Sequence, residues 1–118
     1  MNHSTGTPTK AQRERMDAIK YGPCLCCKQR KLRSYAPDIH HLLSGNRRRG
    51  HGFTIGLCAW HHRAAVAEWA TRSEMFAMYG PSLADGSKPF HEAFGSDDEL
   101  LALQNELIRV PVFVMGFA

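Results

Sequence analysis

Cys24-x-x-Cys27 and Cys58-x-x-His61 are two chelating pairs separated by thirty residues. Two intervening residues let a tight turn bring both ligands of a pair onto one ion. Two such pairs complete the tetrahedral shell of a structural zinc. A closed shell leaves no open coordination position, so this ion would serve the fold and not a reaction. Cys26 has poorer chelating spacing and is expected to be a spectator facing the core.

Histidine is abundant, with seven residues, and four of them form the adjacent pairs His40-His41 and His61-His62. If zinc holds His61 at a helix start, His62 is held beside it. A strand carrying His40-His41 can reach the same point. That combination offers a site for a hard divalent ion and a base within reach of one phosphate. Phosphodiester hydrolysis asks for both: a cation for the leaving oxygen and a neutral imidazole to activate water near pH 7. Arg47, Arg48 and Arg49 follow in a turn-rich stretch and can make charge-assisted contacts to a nucleic-acid backbone.

The elements that must position these groups can be read from patterning. Residues 1–8 are expected to be a flexible tail. Thr9 caps a charge-dense surface helix running to Lys20, which Gly22-Pro23 ends. Cys24 to Arg33 reads as a tight Cys-rich loop. Ile39–Leu43 and Phe53–Leu57 have strand character, joined by the basic loop Ser44–Gly50. The longest helix is predicted over His61–Tyr79, with Val66, Trp69, Ser73 and Phe76 at helical spacing and Gly80-Pro81 as its stop. A short helical turn is expected at Pro89–Phe94. Ser96-Asp97-Asp98-Glu99 is a capping box that opens a last helix with the stripe Leu100, Leu103 and Leu107. Pro111 ends it, and Val112–Ala118 reads as an apolar extended segment.

The chain has 118 residues, 43% apolar and 22% charged, within the ordinary globular range and sized for one domain over residues 9–118. It has no apolar run long enough for a spanning helix, and the polar start Met1–Thr5 lacks a secretory h-region, which points to a cytoplasmic protein with reduced thiols. The net charge of +4 is unevenly placed. Residues 1–50 carry eleven Lys/Arg against three acids, and residues 51–118 carry four against eight. A basic half of this kind suits a polyanion such as DNA.

In sequence order, Cys24-x-x-Cys27, Ile39-His40-His41 and Leu57-Cys58-Ala59-Trp60-His61-His62 resemble the HNH endonucleases and their ββα-metal motif. With the stretches Gly80–His91 and Asp97–Leu101, the chain most resembles the phage recombination-enhancement (Ref) nucleases, over about residues 20–108. The resemblance implies an α+β fold with a ββα-metal core, a structural zinc on Cys24, Cys27, Cys58 and His61, and flanking helices. It implies His41 as general base and His40 and His62 as ligands of a catalytic Mg²⁺ or Mn²⁺. It implies DNA as substrate, presented by a RecA filament in a bacterial host. The chain departs from the family pattern in two places. The middle Asn that orients the base has no match at its usual offset, where Phe53-Thr54 stands; Asn46 and His51 are the candidates nearby. The catalytic ion lacks an obvious third ligand, for which Asp38 and His91 are candidates.

The reading that follows is a metal-dependent DNA endonuclease. Its rival is a non-catalytic zinc module that binds DNA or protein and has no need for His40, His41 and His62 to converge. A weaker third reading makes Cys26 a nucleophile, with Lys28 lowering its pKa.

Overall fold

The computed structural model describes residues 6–34 and 36–109. Helix α1 (Lys10–Lys20) begins at a capping box in which Thr9 and Gln12 bond each other's backbone amides. Helix α2 (Leu25–Gln29) is a single turn and replaces the loop expected there. Strand β1 (Asp38–His41) pairs antiparallel with β4 (Thr54–Leu57), with Asp38 opposite Leu57 and His41 opposite Thr54. Between them the basic loop is a small hairpin of its own, β2 (Leu43–Ser44) and β3 (Arg47–Arg48), turning at Gly45-Asn46. The Leu42 amide donates to the Phe53 carbonyl at 2.9 Å and closes the base of this excursion.

Helix α3 (Ala59–Arg63) follows β4 directly and packs on both strands. Helix α4 (Arg72–Tyr79), a 3₁₀ turn (Leu83–Asp85), α5 (Ser87–Phe94) and α6 (Asp97–Arg109) complete the chain. The capping box expected at Ser96 is present: Ser96 and Glu99 exchange side-chain to backbone bonds at 2.8 and 3.1 Å. The expected extended segment Val112–Ala118 lies outside the described residues. Among the described residues no helix is long and apolar enough to cross a membrane.

β4 is buried at every position. Its alternation turns Ile55 and Leu57 to one face and Thr54 and Gly56 to the other. Ile55 and Leu57 join Leu25, Leu42, Phe90, Phe94 and Leu100 in the core. Against the other face lies α1. A Cβ on Gly56 would stand 3.0 Å from Ile19 and 3.2 Å from Pro37, so only glycine lets the helix approach this closely. The Gly56 N–H, which β1 does not take, donates to Gln104 Oε1 at 2.7 Å. Gln104 is 1% exposed, a polar residue set into the leucine stripe of α6 to satisfy the sheet edge.

The single helix predicted over His61–Tyr79 is two helices. Ala64 takes a left-handed conformation (φ 57°) and ends α3, and α4 restarts at a second capping box, Thr71 with Glu74. The physical reason is a contact. His61 Nε2 lies 2.7 Å from the Tyr79 carbonyl, whereas eighteen residues of continuous helix would part them by about 27 Å. The chain must fold back after α3, and Trp60 Nε1 secures the return by donating to the Gly80 carbonyl at 2.9 Å. The expected apolar stripe is accordingly not buried: Val66, Trp69 and Phe76 are exposed, and Met75 is the inward residue.

Candidate metal centre and histidine site

The two chelating pairs occupy equivalent places. Cys24 is the N-cap of α2 and Cys27 its third residue; Cys58 is the N-cap of α3 and His61 its third residue. Each five-residue helix turns both of its ligands toward the other. Among the described residues, Cys24, Cys27, Cys58 and His61 are the group with three or more ligand atoms in mutual reach, all within 4.8 Å. The edges decide what ion fits. A tetrahedral zinc with bonds of about 2.3 Å to sulfur and about 2.05 Å to nitrogen requires roughly 3.8 Å between sulfurs and roughly 3.6 Å from sulfur to nitrogen. Cys27 and Cys58 Sγ are 3.8 Å apart, and His61 Nδ1 lies 3.3, 3.4 and 3.6 Å from Cys58, Cys24 and Cys27. The donor set fits zinc.

The surroundings support that fit. His61 is fully buried, and its Nε2–H donates to Tyr79, which turns the Nδ1 lone pair toward the sulfurs. Burial alone would lower the His61 pKa, but the Cys24 and Cys58 sulfurs and the Tyr79 carbonyl raise it to about 9 in the metal-free chain. Hydrogen bonds from Cys26, Cys27 and Cys58 push the Cys24 thiol far below its usual value. The same sulfur contacts, that with Cys24 first, push the Cys27 thiol well up, and a bound cation would displace the protons these ligands hold. Cys26 is buried in the core, and its hydrogen bond to Cys24, followed by burial, pushes its thiol well up. Cys26 is fully buried and outside the group of four ligand atoms, which fits a spectator facing the core and leaves its sulfur out of reach of a substrate.

One residue beyond the cluster, His62 leaves α3 toward β1. Its Nδ1 lies 2.9 Å from Asp38 Oδ2, which also accepts from Arg63 Nε at 2.7 Å. Burial raises the Asp38 pKa, but the His62 and Arg63 bonds outweigh it and the net shift is downward. The His40 ring meets His62 edge to face, centroids 5.2 Å apart. Burial first, then the neighbouring His62, pushes His40 down to about 4, with Asp97 opposing, so His40 is neutral near pH 7. Asp38 and His40 share a face of β1, and His41 takes the other. There His41 Nε2 is 3.1 Å from His51 Nδ1, and burial lowers the His41 pKa, helped by Arg48 and His51.

The structure thus brings together the four zinc candidates, and separately His40, His62 and Asp38. His41 stands next to this second group but on the opposite strand face, with His51. His91, a candidate third ligand, pairs with Asp97 at 2.8 Å. Asn46 is exposed at the hairpin tip, away from the middle-Asn role. Arg47 and Arg48 are exposed on β3, whereas Arg49 is partly buried and bonds Asp98 at 3.0 Å. An open groove of about 660 Å³ runs beside His62, lined by Lys20, Asp38 and Arg63 among others. The pairing of Asp38 with His62 is the feature that sequence reasoning left open, since only the β1–α3 contact reveals it.

The family model described as recombination enhancement, RecA-dependent nuclease matches residues 8–109. The chain belongs to this family. The match runs from the residue before the Thr9 cap to the end of α6 and includes both cysteine pairs and all of His40, His41, His51, His61, His62 and His91. No curated protein matches the chain. The family's description is of a RecA-dependent nuclease in recombination enhancement.

Proposed function

We propose that this protein is a divalent-metal-dependent DNA endonuclease of the HNH type, cutting DNA directed to it by a RecA filament. The carrying observation is the His40–His62 contact, which joins β1 to α3 one residue from the zinc candidate His61. A ββα hairpin-and-helix arrangement (β1, β4 and α3) supports the HNH assignment.

In this reading His40 and His62 would hold the ion. Asp38 takes His62 Nδ1, the carboxylate–histidine arrangement common behind metal ligands. Bound there, a divalent ion would stabilise the charge on the leaving 3′ oxygen. His41 receives a proton from water, whose oxygen forms the new bond to phosphorus as the bond to the 3′ oxygen breaks; solvent returns a proton to that oxygen. In-line displacement needs the nucleophile and the leaving group on opposite sides of phosphorus. Adjacent positions on β1 face opposite ways, so a phosphodiester would have to cross the end of β1 for the ion side at His40 and the base His41 to flank its phosphorus. Arg47 and Arg48, with Lys20 and Arg63 along the groove, supply cations for the flanking phosphates. Arg49 is committed to Asp98 and holds the hairpin.

The test is cleavage of plasmid DNA paired by a RecA–single-strand filament, with and without Mg²⁺ or Mn²⁺. His41→Ala and His62→Ala should each lose at least roughly 100-fold in rate while remaining folded and zinc-loaded, the scale of a lost acid–base group. A folded, zinc-loaded wild type that cuts neither free nor filament-paired DNA would leave a non-catalytic zinc module as the reading.

A further inference from the structure

His51 lies between β3 and β4, 8% exposed, with both ring nitrogens engaged. Nε2 is 2.7 Å from the Gly6 carbonyl oxygen, and Nδ1 is 3.1 Å from His41 Nε2. A carbonyl only accepts, so His51 Nε2 carries the hydrogen. A neutral imidazole has one N–H, so with His51 neutral its Nδ1 would accept and His41 Nε2 would donate to it. By the same count His41 Nδ1 keeps its lone pair. With both rings neutral, the direction of every bond in the series Gly6–His51–His41 follows from the one group that cannot donate.

We propose that His51 is the positioning residue of the base His41, and that the Gly6 carbonyl, ahead of α1, sets the tautomer of both rings. The proposal rests on the reading of His41 as base. It assigns to an imidazole the role for which neither Asn46 nor the Phe53-Thr54 pair is placed. The neighbourhood holds the His51 loop closely. Thr54 Oγ1 donates to the His51 carbonyl at 3.0 Å, and Arg15 reaches across from α1 to Thr54 Oγ1 at 3.0 Å and to its carbonyl at 2.6 Å. Thr54 is itself the β4 partner of His41. The rings of His41 and His51 meet edge to face, centroids 5.2 Å apart. The fold alone does not require this polar pair, because two apolar residues of similar shape would be about as stable at a half-buried site. A series of fixed polarity ending on a lone pair is what a base requires.

The segment 1–8, read from sequence as a loose tail, thereby contributes an atom to the site at Gly6. Gly6 has φ +76°, a conformation that most side chains disfavour.

The experiment uses the full chain, zinc-loaded, on filament-paired DNA with Mg²⁺, and compares His51→Leu, His51→Gln, Gly6→Pro and His41→Ala. Loss of a partner behind a site group typically costs roughly 10–100-fold in activity, so kcat of His51→Leu should fall by that factor with KM little changed. His51→Gln should recover most of the rate, since its amide can accept from His41 through Oε1 and donate to Gly6 through Nε2. Gly6→Pro, which forces φ to about −65°, should fall below wild type. Nitrogen NMR of the wild type should find the His41 proton on Nε2, protected from exchange, and that protection should be absent in His51→Leu. A wild-type rate in His51→Leu alongside an inactive His41→Ala overturns the relay and leaves the base assignment standing. A wild-type rate in His41→Ala overturns the base assignment and the relay with it. A proton found on His41 Nδ1 overturns the relay even if a variant fails to fold.

Discussion

Replacing His61 separates two contributions that the metal centre combines. His61→Cys keeps four ligands, at the same spacing that Cys24 and Cys27 use on α2, and all-cysteine sites are a common form of structural zinc. Zinc should stay bound at one equivalent. What disappears is the imidazole: its 2.7 Å bond to the Tyr79 carbonyl and its edge-to-face packing on Phe94, centroids 5.1 Å apart. Leaving a buried carbonyl unpaired costs about 1–3 kcal/mol, and the aromatic packing about 0.5–1.5 kcal/mol. The sum, about 2–4 kcal/mol, should lower Tm by roughly 10–20 °C in a chain of this size. His61→Ala removes the same two interactions and a ligand as well. Structural zinc supplies about 10–16 kcal/mol of folding free energy in small domains, as much as the whole stability of about 5–15 kcal/mol. His61→Ala should therefore bind no zinc after dialysis and show no cooperative melt. The assays are metal analysis of dialysed protein and circular-dichroism melts with and without chelator. A full equivalent of zinc in His61→Ala, with the wild-type Tm, would refute the assignment of His61 as a ligand. An unshifted Tm in His61→Cys would refute the weight placed on Tyr79.

Four further outcomes follow from the packing and the surface. Gly56→Ala places a methyl 3.0 Å from Ile19, and overpacking of this kind should cost about 1–3 kcal/mol, read as a drop in the denaturant midpoint. Gln104→Leu keeps the volume but strands the Gly56 N–H, and should cost about 1–3 kcal/mol in the same measurement. Ala64→Gly relieves a left-handed alanine and should stabilise by about 1 kcal/mol, visible as a raised Tm with unchanged zinc content. Replacing Arg47 and Arg48 together by Ala should weaken duplex binding and reduce the slope of log K against log salt by about 0.9 for each phosphate no longer neutralised; an unchanged slope would place the DNA elsewhere.

The parts of this structure legible in sequence were those carried by short-range spacing. The two chelating pairs, the caps at Thr9 and Ser96 and the strands flanking the arginines each depend on residues a few positions apart, and all are present. The continuous helix over His61–Tyr79 failed for the complementary reason. Ala64-Ala65 is the best helix-forming composition there is, and the break comes from the distant Tyr79 carbonyl, which no local pattern encodes. A local signal for the restart did exist in Thr71-x-x-Glu74, but it was masked by the apolar spacing across it. At the histidines, residue types and neighbours on the chain pointed to His40 and His62, while the partners Asp38 and His51 depend on the β1–α3 and loop contacts. Gln104 was unreadable as a core residue because its role is to satisfy one amide of a strand far away in sequence.

The brevity of α3 has a consequence for how this frame tolerates change. A free five-residue helix does not persist in water, because nucleation is not repaid over so few bonds. Here the ligands at its cap and third position would clamp the turn, and His62 follows immediately. The orientation of His62 is thus settled before the chain reaches Ala64, and the stretch that follows takes no part in holding it. Residues 64–70, with Val66 and Trp69 in solvent, form a segment where insertions and substitutions leave the site undisturbed. Divergence in length between related chains should collect there, and a label or fusion should be accepted there before anywhere else in the zinc-bearing half.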